Sequence, residues 1–375
     1  MTTAIVSGAL ANKPGNGGNA WSRLSWVGGL RALGFDVVFV EQIESRYCGT
    51  ANVGWFETVT TAYGLGGSSA LVVGDWEAVV GMSRSDLLDA AGQAALLVNI
   101  GGHLTLDALT RPAKRSVFFD DDPGFTQLWA ANGTGANLDG HDLYFTLGRD
   151  IGQAWNAVPT VDREWRPLAP PVVLDDWPLQ RAGAFDRFTT VGTWRGPYGT
   201  IEMDGTTLGL KVHEFRKILR LPATTWLKFE AALAIDPADD ADRRALAEHG
   251  WLLVDPAVKA GTPDRFRAYV QQSSAELSAA QGLYVQTDCG WFSDRTVRYL
   301  ASGRPAVVQD TGWSRHYPAG DGLLAFRTLA EAAAAAEAVA ADYERHCAAA
   351  RAIAEEHFAA PVVVGQVLEA AGVAP

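Results

Sequence analysis

The chain has 375 residues and a mass of 40.1 kDa, a length that predicts two domains rather than one. Hydrophobic residues make up 48% and charged residues 20%, a balance that excludes general disorder. Lys+Arg is 31 against Asp+Glu 43, a net charge of −12, which argues against a nucleic-acid partner or an anionic membrane surface.

The deficit is uneven. Residues 1–180 carry a net charge of −8 and the rest −4, so the second half is the better host for an anionic ligand. The three cysteines, Cys48, Cys289 and Cys347, form neither a disulfide framework nor a zinc pattern. No basic leader precedes the first strand, and no uncharged apolar run reaches the roughly 20 residues of a bilayer span, so the chain reads as cytoplasmic, without a transmembrane segment.

In chain order, Thr3–Gly8 is a short apolar run ending in glycine, as expected of a buried parallel strand. A glycine-rich loop, 12–19, follows. Trp21, Leu24, Val27, Leu30 and Leu33 then recur at helical spacing until Gly34 stops the helix. Phe35–Glu41 completes a βαβ unit. Further strands are predicted over 69–73, 95–100, 116–120 and 142–146, with a helix over 83–91. Residues 166–180 hold four prolines and predict an interdomain linker. A second series gives strands at 188–192, 225–230, 250–255, 282–287 and 305–310, followed by an Ala- and Glu-rich helical stretch over 329–359. Alternating strands and helices predict an α/β protein with two Rossmann-like doubly wound domains facing across a cleft. The expected division is 1–178, 179–358, and a C-terminal tail, 359–375, that packs back on the N-terminal domain.

Ligands of open α/β sheets sit beyond the carboxyl ends of strands, which directs attention to post-strand residues. The loop with Gly17 and Gly18 lacks both the dinucleotide and the Walker spacing; it reads either as a mobile wall of the cleft at a helix N-terminus or as a plain turn. Asp120-Asp121-Asp122-Pro123 follows a strand. Three adjacent carboxylates can supply a general base, bind Mg²⁺, or cap a helix; Asp120 and Asp122 are the first candidates for the base and His103 the next. Gly192-Thr193-Trp194-Arg195 and then Lys211 offer a loop and two cations to an anion. Because the chain has only six lysines, Lys211 is the less accidental of the two. In the run Gly290 to Gly312, Ser293 is a good N-cap with Asp294 and Arg295 in the first turn. The free N–H groups there suit a diphosphate. Of Trp21, Trp194, Trp291 and Trp313, one or two are expected to touch ligand, with Trp291 and Trp194 leading.

The segment Phe292-Ser293-Asp294-Arg295, then Tyr299-Leu300-Ala301-Ser302-Gly303-Arg304-Pro305, then Gln309-Asp310-Thr311-Gly312 resembles the donor-binding segment of glycosyltransferases of the GT-B fold, and in particular a bacterial group of them. Asp122–Gln127, Lys211 with Glu214-Phe215, Gly250-Trp251 and the stretch 342–358 are similar to the same group. The resemblance implies a metal-independent enzyme of secondary metabolism or glycan biosynthesis. It uses no cofactor; a nucleoside-diphosphate sugar is co-substrate, held by the second domain, and a small-molecule or glycan acceptor is held by the first. Gly192, Thr193, Lys211 and Ser293–Arg295 are then expected at the diphosphate or sugar, Asp255 near the base, and Asp310, Thr311 and Gly312 at the sugar end. Many retaining members carry two glutamates around this helix, where this chain has Gly290 and Arg298. That departure favours inversion with a base from the first domain. An epimerase or hydrolase on the same fold, and a non-catalytic nucleotide-sugar-binding partner protein, stay open, as does a homodimer.

Overall fold

The structure, a computed structural model, describes residues 2–196 and 198–375. It divides into two compact units. The first comprises the residues up to Leu147, Pro159–Val173 and Ala359–Pro375; the second comprises Gly148–Val158 and Leu174–Phe358. Beyond the two breaks expected near residues 178 and 358, the chain also passes between the units after Leu147 and after Val158; residues 148–158 belong with the second unit, and the tail from Ala359 belongs with the first.

The first unit is built on eight strands: β1 (Thr3–Ser7), β2 (Asp36–Ile43), β3 (Ser69–Val73), β4 (Ala78–Gly81), β5 (Ala94–Ile100), β6 (Ser116–Asp120), β7 (Leu143–Thr146) and β8 (Trp165–Pro167). They lie in the order β4-β3-β2-β1-β5-β6-β7-β8, all parallel except the edge strand β4. Helices cover both faces of such a sheet, so its strands read as continuous apolar runs. Ile5, Val38, Val40 and Leu97 accordingly sit in one core with Leu87 and Leu109. The last helix, Ala360–Ala371, packs on the Gly17–Ala32 helix. Gly29 makes that contact close: a Cβ there would stand 2.9 Å from Val364 and 3.0 Å from Ala360.

The second unit has β9 (Arg187–Thr193), a small hairpin of β10 (Ile201–Met203) and β11 (Thr206–Leu208), then β12 (Lys228–Ala234), β13 (Leu252–Leu253), β14 (Ala275–Ser278), β15 (Ala306–Gln309) and β16 (Leu323–Phe326). Its six-stranded sheet runs β13-β12-β9-β14-β15-β16 and is parallel throughout. This is the doubly wound 3-2-1-4-5-6 order, whose direction of winding reverses between β9 and β14. Phe188 and Phe229 stack across β9 and β12 at 5.4 Å in a core that also holds Phe215 and Trp251.

Four segments differ from what the sequence predicts. The run 282–287 is a helix, Gly282–Thr287, and the strand next to β9 is instead Ala275–Ser278. A short apolar run of six residues is compatible with either structure, and the true strand hides a buried glutamate, Glu276, that breaks the apolar pattern. The expected strands at 225–230 and 250–255 move to β12 and shrink to β13. The stretch 329–359 is two helices, Leu329–Ala341 and Tyr343–His357, which part at Asp342. No helix is long and apolar enough to cross a membrane among the described residues.

Candidate functional site

In the second unit the winding reversal lies between the carboxyl ends of β9 and β14, and Arg295 bridges it. Its Nη1 donates to the carbonyl of Val191 on β9 at 3.0 Å, Nη2 donates to Ser278 Oγ at the end of β14, and Nε donates to Glu276 Oε1 at 2.5 Å. Arg295 stands in the first turn of the Asp294–Ala301 helix. Ser293 caps that helix by accepting from the Arg295 N–H at 3.2 Å, as its sequence position predicts. Lys211 opens the Lys211–Lys217 helix, and its backbone N–H is held by Gln281 Oε1 at 2.7 Å. The two cations meet at Gly192. A Cβ on that glycine would stand 3.3 Å from Lys211 Nζ and 3.7 Å from Arg295 Nη1. Burial, with the Arg295 charge second, pushes the Lys211 ammonium down to about 7, against the pull of Glu276 and Asp294. Two cations crowded at a helix start beside a side-chain-free strand end are costly alone and favourable around an anion.

The remaining second-unit candidates divide. Thr193 is exposed at the end of β9. Trp194, expected at ligand, is instead core: it is 1% exposed, packs against Phe215 at 5.2 Å and donates its indole N–H to Asp242. Arg195 turns its guanidinium fork onto Asp239. Trp21 and Trp313 are buried; of the four tryptophans weighed, Trp291 alone keeps solvent contact, stacked on Tyr284 at 4.4 Å. Asp255 caps the Pro256–Ala260 helix through the Ala257 N–H. Asp294 pairs with Arg298 at 2.9 Å. Asp310 accepts from Gly312 N, Ser314 Oγ and Arg327, which holds its carboxyl below the usual range despite burial. Thr311 Oγ1 donates to the Trp291 carbonyl, so 310–312 braces the loop before the Asp294–Ala301 helix. Gly290 and Arg298, which stand where the resemblance expects two glutamates, are both buried. A Cβ at Gly290 would stand 2.7 Å from Asp150 Oδ2, leaving no room for a longer side chain, and Arg298 is 1% exposed.

In the first unit the reversal lies between β1 and β5. Gly8 and Gly101 follow those strands. A Cβ at Gly8 would stand 3.2 Å from Arg23 Nε, and one at Gly101 would stand 3.2 Å from His103 Nε2 and 3.5 Å from Asp121 Oδ1. Arg23 pairs with Asp121 at 3.2 Å. The His103 ring keeps solvent contact, yet desolvation by the surrounding protein, then Arg23, lowers its pKa against the pull of Asp121. Of the three successive aspartates, Asp120 is fully enclosed. It accepts from Thr126 Oγ1 (2.7 Å), Gln127 Nε2 (2.8 Å), Thr146 Oγ1 (2.7 Å) and the Asp122 N–H (3.2 Å). Burial raises it to about 6 even so. With its oxygens taken and no exposed surface, it ties β6 to β7 and to the following helix and presents no oxygen to solvent. Asp122 lies in the turn, its carbonyl accepting from the Thr126 N–H. Gly17 opens the Gly17–Ala32 helix, which Asn16 caps. The loop ahead of it is pinned by Glu41, a fully buried residue that accepts from the N–H groups of Leu10, Ala11 and Asn12.

Four residues at these sites, Arg23, Glu41, Asp121 and Glu276, escape the sequence reading. Asp121 had a signal: side chains alternate along a strand end, so Asp120 and Asp121 face opposite ways. Among the described residues no three His, Cys, Asp or Glu side chains converge as a cation site.

No family model and no curated protein matches the chain by sequence. Solved structures match it along its whole length. The Anabaena protein HepE, solved with UDP and glucose, aligns at 11% identity over 99% of both chains with a TM-score of 0.62. An α-glucosyltransferase solved with UDP and a 13-mer DNA aligns at 10% identity over 99% of both chains, TM-score 0.62. Sucrose-phosphate synthase from Thermosynechococcus elongatus aligns at 11% identity over 99% of both chains, TM-score 0.56. The α/β fold with two doubly wound sheets is thus of the GT-B type, as the sequence predicts.

Proposed function

We propose that this protein is a glycosyltransferase that moves a sugar from a nucleoside-diphosphate donor to a hydroxyl-bearing small molecule or glycan. The observation that carries the reading is the convergence of Lys211 and Arg295 on Gly192 at the winding reversal of the second sheet, where this fold class places nucleotides. The solved proteins of the same fold include two with UDP in their structures, which makes UDP the first donor nucleotide to test. A net charge of −12 favours a small acceptor over nucleic acid, although one protein of this fold was solved with DNA.

The chemistry is a displacement. The acceptor hydroxyl loses its proton as its oxygen bonds to the anomeric carbon; the bond from that carbon to the diphosphate oxygen breaks, and its electron pair stays on the diphosphate. Lys211 and Arg295 offset the charge that develops there, an electrostatic stabilisation of the kind that dominates such reactions. His103 is the base in this account: its ring keeps solvent contact, its lowered pKa leaves it neutral at pH 7, and Asp121 lies beside it. Asp120 is too enclosed for the task, and the absence of glutamates at 290 and 298 favours inversion.

Thermal-shift screening with UDP, ADP, GDP and dTDP, followed by an acceptor panel with the matching nucleotide sugars, tests the reading. One nucleotide is expected to raise Tm by mass action, and an acceptor to be required for diphosphate release. Turnover without acceptor would point instead to a hydrolase or epimerase. Nucleotide binding with no turnover would point to a binding protein.

A further inference from the structure

Glu276 is the one charged residue of β14, a strand whose four residues are all buried. It is 0% exposed. One carboxylate oxygen takes the Arg295 Nε–H, and Oε2 has no hydrogen-bond partner. An ionised carboxylate inside a sheet is costly unless it is paired, and its removal would leave the facing guanidinium buried alone. Each of the three edges of the Arg295 guanidinium is fixed by a different group: Glu276, Ser278 and the Val191 carbonyl. Around the Lys211 ammonium the charged groups are Arg295, Glu276 and Asp294, the last also paired with Arg298. The titratable group facing Glu276 from the helix above is Tyr299, whose hydroxyl bonds to Thr189.

Resting on the donor reading above, we infer that Glu276 is a positioning residue of the diphosphate site: it locks the Arg295 guanidinium at the end of β14, and its negative charge offsets the crowding of Arg295 and Lys211 at Gly192. Nothing in a diphosphate attracts a carboxylate, so Glu276 acts through the two cations and never touches the donor. It also explains why an acidic residue interrupts an otherwise apolar strand. Burial, and then the nearby arginine, push the Lys211 ammonium down towards neutral pH; the carboxylate paired with that arginine offsets part of the repulsion.

The test is nucleotide affinity against pH for the wild-type protein and Glu276→Gln, read by calorimetry with UDP, ADP and GDP between pH 5.5 and 9. In the wild type, affinity is expected to hold up to about pH 7 and fall above it as Lys211 loses its proton. In Glu276→Gln, the fall begins at least one unit lower, and affinity at pH 7.5 drops about tenfold, one pKa unit being a factor of ten. The ionisation of the nucleotide's own phosphate is common to both proteins and cancels. Glu276→Asp keeps the charge but draws it back from Arg295 Nε; it loses affinity with its onset unmoved, and it serves where Glu276→Gln does not fold. Equal onsets and equal affinities in the wild type and either variant would overturn the role of Glu276 alone. A wild-type protein that binds none of the three nucleotides would overturn the donor reading, and this inference with it.

Discussion

Lys211 Nζ and Arg295 Nη1 lie within 4 Å of the same point, the place a Cβ on Gly192 would occupy. The three residues come from a strand end, the first turn of one helix and the first turn of another, and 103 sequence positions separate the outermost two. Only the absence of a side chain at 192 lets both cations close on that point. Gly192→Ala strains a backbone whose φ is +157°, but it is expected to fold, because the only atoms in its way are the far ends of two flexible side chains. It should weaken nucleotide affinity about tenfold, roughly 1.4 kcal/mol. Calorimetry checks the affinity and a melting curve checks the fold.

Lys211 also makes a stability prediction. Its folded pKa, about 7, lies below its ordinary value of 10.5. Below pH 7 the lysine is charged in both states and the folded protein bears the full cost of burying it. Between about 7 and 10.5 the unfolded chain binds the extra proton, so this contribution to stability rises with pH. Lys211→Met removes the cost and is expected to raise Tm at pH 6 by about 2–4 °C, with a smaller gain at pH 9. The same variant should lose nucleotide binding, a stabilisation gained at the expense of function.

The two aspartates after β6 are expected to separate cleanly. Asp120→Asn replaces an acceptor-only carboxylate by an amide whose NH₂ faces either the Gln127 NH₂ and the Thr146 hydroxyl or the Thr126 hydroxyl and the Asp122 N–H, so it should cost about 1–3 kcal/mol of stability. Asp121→Asn, half-buried and paired with Arg23, should leave Tm within about 2 °C and lower turnover, as should His103→Gln. Melting curves beside turnover of the identified donor decide the matter. Equal effects at 120 and 121 would contradict the assignment.

Glu41 holds three successive backbone N–H groups ahead of the glycine loop, and burial nonetheless raises it to about 7. An acid whose folded pKa lies above its unfolded value favours the protonated fold. Its contribution to stability is therefore greatest at low pH and declines from about 4.5 to about 7. Glu41→Ala leaves those N–H groups without their acceptor. Hydrogen exchange at residues 10–12 is expected to accelerate at least tenfold, while exchange in β12 and β14 stays unchanged.

Much of this architecture is legible in the sequence because its physical causes are local. Apolar runs between glycines mark the parallel strands, Ser293 marks a helix start, and Gly303 with φ +69° marks its end. What is not legible depends on contacts between distant residues. The pairing of Glu276 with Arg295 joins positions 19 apart, and the glutamate conceals its own strand, so the apolar run 282–287 reads as the strand in its place. Trp194 and Arg195 look ligand-directed by position after β9, but Phe215 and Asp239, brought in by later helices, claim them. The aspartate run shows the residue types of a site without showing which member faces outward. Only the enclosure of Asp120 by Thr126, Gln127 and Thr146 decides that.

The most direct test of the central claim is calorimetric titration of the wild-type protein and Lys211→Met with UDP, ADP and GDP at pH 6.5. The account predicts saturable binding of one nucleotide to the wild-type protein and a loss of at least tenfold in the variant. Binding of equal strength in both proteins, or none in the wild type, would contradict it.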